Sequence, residues 1–174
     1  IFCYYENNRT IEQLMVFLRE FAESGIKVYI HMLLCQKSLN SYKDMANILT
    51  KVNYEFENVK IGIVAGSTRM DTLIQIRDIQ KSLVTEYGEN WKDLSKKMDV
   101  LSQTRTVPLN TRTFTVSNGF RLSNNDQILF FNYINADVTY FINELGNQKY
   151  VQSLDISTIK YYSLFPIKST IQIP

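Results

Sequence analysis

Asn125-Asp126-Gln127-Ile128-Leu129-Phe130-Phe131-Asn132-Tyr133, running on into Ile134-Asn135-Ala136-Asp137, reads as a turn, a strand and the start of a helix. Residues 128–131 are a short apolar run between turn formers, the pattern of a strand covered on both faces. Val138, Phe141, Ile142 and Leu145 then recur at helical spacing, and Gly146 closes the segment. Open α/β sheets hold ligands where a strand end feeds a helix start. This junction is therefore the first place to expect a site.

Upstream, the same grammar repeats. Residues 1–5 form an apolar strand candidate. Thr10-Ile11-Glu12-Gln13 fits a capping box, with Ile11, Leu14, Met15, Leu18 and Phe21 on one helical face. Gly25 is placed to stop that helix in the left-handed region. Residues 26–34 alternate, with Ile26, Val28, Ile30, Met32 and Leu34 on one side and Tyr29, His31 and Leu33 on the other. A second helix follows Asn40-Ser41, turning Met45, Ile48, Leu49, Val52 and Phe56 inward. Residues 59–65 make a third strand, ending in Gly66-Ser67-Thr68-Arg69 before a helix capped near Asp71. That helix should bury Leu73, Ile76, Leu83, Val84 and Tyr87. Another is expected after Asn90, with Lys92, Asp93, Lys96, Lys97 and Asp99 on a solvated face.

Downstream of residue 110 the pattern changes. Residues 111–116 alternate, Ser117-Asn118-Gly119 is a turn, and Phe120-Arg121-Leu122 leads toward the opening stretch. Closely spaced turns predict antiparallel pairing there. Residues 158–164 are a last strand, ended or made an edge by Pro166. The whole predicts one α/β domain over residues 1–174, a mixed sheet with flanking helices. Its expected core is Leu14, Leu18, Ile30, Ile61, Ile63, Ile128, Phe130, Val138 and Ile142.

Composition bounds the function. The chain has 174 residues, enough for one domain with a real core; 45% are hydrophobic and 21% charged. A net charge of +2 is too small to predict nucleic acid or an anionic membrane as a partner. No apolar run is long enough to span a bilayer, and no signal peptide is visible. The chain opens at Ile1 directly in a strand, which predicts a fragment of a longer protein. Cys3 and Cys35 lie in or beside apolar runs and read as reduced, buried thiols. A single histidine, His31, and no cysteine cluster cannot make a His-rich metal site. His31 in an alternating strand reads as a packed residue rather than a general base, having no acidic or nucleophilic neighbour in sequence.

Phe130-Phe131-Asn132-Tyr133 resembles the start of the F-F-N-F-R-x-D-R motif of cofactor-independent phosphoglycerate mutases. Lys27-Val28-Tyr29-Ile30-His31-Met32-Leu33 resembles the strand that leads into their H-A-F-x-D-G-R-D motif. Gly66-Ser67-Thr68-Arg69-Met70-Asp71 resembles their G-R-Y-Y-A-M-D-R-D loop, one residue shorter. Residues 6–14 sit where the family has G-G-V-H-S-H-x-x-H. The resemblance covers nearly the whole chain but only the substrate-binding insertion domain of that enzyme. It implies a partner domain, related to alkaline phosphatase, with a nucleophilic serine and two manganese or magnesium ions. Nothing in this chain resembles that metal-binding domain, so no cofactor is expected here. The resemblance also implies a cytoplasmic setting.

The family's gripping residues are mostly replaced. Ile134 and Asp137 stand where the resemblance puts two arginines; Ile134 cannot hydrogen-bond and Asp137 repels a phosphate. Asn8 stands for the catalytic histidine and does not titrate near neutrality. Cys35-Gln36-Lys37-Ser38 replaces D-G-R-D, and lysine does not reproduce a bidentate arginine clamp. Ser67 and Thr72 replace loop arginines. Arg69, Lys37 and Asn132 remain as candidate substrate-binding residues, with no catalytic residue. The Gly66–Arg69 stretch has the makings of an anion loop, although a plain β–α connection explains it as simply. The expectation is a non-catalytic mutase-like domain serving as a scaffold or interaction module, its partners being other domains of the same protein or a separate protein. The alternative is the substrate domain of a divergent working mutase, with phosphoglycerate as ligand.

Overall fold

Three apolar runs at the head of the chain become parallel neighbours: β1 (Phe2–Tyr5), β2 (Val28–Cys35) and β3 (Val59–Ser67). The computed structural model describes residues 1–5, 8–35, 46–47, 50–52, 54–67, 73–85, 89–90, 93, 96, 99–100, 114–115, 121–131 and 158–164. Helix α1 (Asn8–Glu23) makes the β1-to-β2 crossover. Ile11, Leu14 and Leu18, spaced along one stripe, are fully buried against the sheet. Gly25 stops the helix with a φ of 72°, and its N–H donates to the Ala22 carbonyl at 3.2 Å. The Asn58 amide then clasps the turn, donating to the carbonyls of Phe21 (3.2 Å), Ala22 (3.4 Å) and Ile26 (2.8 Å). Helical residues at 46–47, 50–52 and 54–55 lie between β2 and β3, and Ala46 and Val52 join the core.

Helix α2 (Leu73–Val84) follows β3 and buries Ile79 and Leu83. Four short strands complete the sheet: β4 (Glu89–Asn90), β5 (Phe114–Thr115), β6 (Gln127–Phe130) and β7 (Lys160–Ser163). The order is β4-β5-β3-β2-β1-β6-β7. β3, β2, β1, β6 and β7 run parallel, whereas β5 is antiparallel to β3. The protein is thus an α/β domain with a mixed sheet, as expected. Leu14, Leu18, Ile30, Ile61, Ile63, Ile128 and Phe130 are all buried; Val138 and Ile142 lie outside the described residues, with the helix expected to carry them.

The opening stretch folds as a turn and a strand. Asn125 takes a left-handed φ of 70°, which asparagine tolerates. Asp126 accepts from the Ser123 N–H at 2.9 Å and hydroxyl at 3.1 Å. Ile128 and Phe130 are buried on one face of β6. Phe131, just past the strand, meets Phe17 of α1 edge-on at 5.2 Å. Leu129 is only half-buried, so cover on that face is incomplete.

Several local expectations are corrected. Helix α1 begins at Asn8, so Thr10 is not a cap but a buried residue of the first turn. Ile26 is exposed and precedes β2, because the Gly25 turn and the Asn58 clasp hold it off the sheet. β5 does pair antiparallel, with β3, and also lies parallel to β4; residues 121–122 are irregular. Asp93 and Lys96 are exposed, as expected of a solvated face, and Asp93 accepts from the Lys96 N–H at 3.0 Å, a helix-capping contact. Tyr87 lies outside the described residues.

The β2–β3 ladder carries one irregularity. Ile30 pairs with Ile61 and Met32 with Val64, so His31 faces two residues, Gly62 and Ile63. This bulge lets Ile61 and Val64 share one core face with Ile30 and Met32. It also leaves Gly62 under the His31 ring. A Cβ on Gly62 would lie 2.7 Å from Cε1 of His31, closer than atoms pack.

Candidate functional site

Because β1, β2, β3 and β6 are parallel, their carboxyl ends share one edge of the sheet. The chain steps from β1 to β2 to β3 on one side and returns to place β6 on the other side of β1. The order reverses between β1 and β6, the switch point at which α/β sheets form a ligand crevice. Tyr5 lies opposite Leu34, and Cys35 opposite Ser67, so three strands end nearly level. The described β6 ends at Phe130, opposite Phe2, three positions earlier than β1. That step is roughly 10 Å along the strand direction.

The three candidate residues fall on this edge by sequence. Lys37 is two residues past Cys35, Arg69 two past Ser67, and Asn132 two past Phe130. Two residues reach at most about 7 Å, so the tethers of Lys37 and Arg69 are adjacent ladder partners. All three lie outside the described residues, as do Ile134, Asp137 and Thr72. Asn8, standing for the family's histidine, is the first residue of α1. Ser67 is the last residue of β3.

His31 sits away from that edge, in the middle of β2. Its ring packs on Phe2 at 4.8 Å between centroids, and Phe2 stacks on Phe130 at 5.6 Å. The three side chains form a row across β2, β1 and β6, and Gly62 of β3 makes the space at its end. The side chain is buried, and burial holds its pKa well below the ordinary histidine range. It is a packed imidazole, neutral at pH 7, as the sequence implies. The part played by Gly62 was missed; the available signal was an isolated glycine inside a strand pattern.

Cys3 is buried with a free thiol, and burial pushes its pKa up to about 12. Its ladder partner is Met32, three residues before Cys35. The two cysteine backbones are therefore separated by roughly 10 Å along the strand, beyond disulfide reach. Among the described residues, no group of three or more His, Cys, Asp or Glu is arranged to hold a metal. No described helix is long and apolar enough to cross a membrane.

A cavity of about 920 Å³ opens at the opposite end of the sheet. Phe2, Val28, His31, Ile128 and Tyr162 line it, with Arg121 and Asp126 among its polar groups. It lies by the amino ends of β1, β2 and β6, not at the switch-point crevice.

No family model matches the chain, and no curated protein matches it.

Proposed function

We propose that this chain is a non-catalytic, phosphoglycerate-mutase-like domain that serves as a scaffold or interaction module of a larger protein. The observation that supports this reading is the loss of cations at the positions that follow the carboxyl strand ends. A three-carbon phosphate has few apolar atoms, so its grip must come from charge-assisted hydrogen bonds, each contributing about 1.5–3 kcal/mol. Ile134 and Asp137 offer none to an anion, and Asn8 replaces an imidazole. The partners are then other domains of the same protein or a separate protein, and the domain needs no cofactor.

A second reading rests on Arg69 and Lys37, which follow the ends of two paired strands, with Asn132 beyond β6. Together they would give a divergent substrate domain, active beside a manganese- or magnesium-binding partner domain. Isothermal titration with 3-phosphoglycerate at low salt separates the two. The scaffold reading expects no saturable heat. Saturable binding that Arg69→Ala abolishes would overturn it. The sequences flanking this domain supply a second check: a metal-binding phosphatase-like domain with its serine and histidines would favour the working enzyme.

A further inference from the structure

We draw no further inference here: the strongest candidate, the cavity of about 920 Å³ at the amino ends of β1, β2 and β6, carries the exposed apolar side chains of Ile26, Tyr162 and Leu164, and nothing in the structure shows what covers it.

Discussion

The β2–β3 ladder and the β1–β6 seam are both parallel pairings in one sheet, yet they are held by different physics. β2 and β3 share seven register pairs and bury Val28, Ile30, Met32, Val59, Ile61 and Val64 in the α1-side core. β1 and β6 share one described pair and depend on ring stacking from Phe130 through Phe2 to His31. Length of pairing decides the difference. Long ladders combine many backbone hydrogen bonds with burial, so losing one contact leaves the rest in place. The two regions should open with different free energies, as local units of a fold do. The carboxyl ends of β1, β2, β3 and β6 lie on one edge shared by both regions.

Three substitutions test that contrast. Ile30→Ala should have the largest effect, because it empties a fully buried site in the long ladder. A loss of about 2–5 kcal/mol is expected by urea unfolding, with one transition for all probes. A loss confined to the seam would show that the ladder is not the stable unit.

Gly62→Ala should come next. The added methyl meets the His31 ring, whose other side packs on Phe2 at 4.8 Å between centroids. Overpacking of this kind costs about 1–3 kcal/mol. The effect should shrink when His31→Ala is combined with it, since the clash is then gone. Additive losses in that double-mutant cycle would place the conflict elsewhere.

Phe130→Leu should be the mildest. It keeps an apolar side chain under the sheet but removes one ring from the row, and an aromatic pair contributes about 0.5–1.5 kcal/mol beyond burial. Hydrogen exchange should speed at the Phe131 amide and in β7 while β2 and β3 amides stay protected. Equal acceleration in both regions would mean the seam and the ladder are one cooperative unit.

What could be read from the chain was local in origin. The strand runs read at 1–5, 26–34, 59–65, 128–131 and 158–164 are apolar or alternating segments bounded by turn formers, and the structure has strands there at Phe2–Tyr5, Val28–Cys35, Val59–Ser67, Gln127–Phe130 and Lys160–Ser163. Lys37, Arg69 and Asn132 could be placed just past strand ends for the same reason, though the residues themselves lie outside the described part. Less legible was Thr10. Its capping pattern is real, but Asn8 and Arg9 are helical, and helix boundaries depend on where the preceding strand delivers the chain.

The sequence alone determined the strand–helix alternation, the buried stripe of Ile11, Leu14 and Leu18, and the stop at Gly25. Side-chain periodicity and a left-handed glycine act within a few residues and need no partner. Only the tertiary structure decided that β6 returns beside β1, that β5 lies antiparallel on β3, and that His31 faces Gly62 across a bulge. Each of these is a pairing between residues distant in sequence. Register and strand order come from closing such contacts together, and no stretch of chain carries that information by itself.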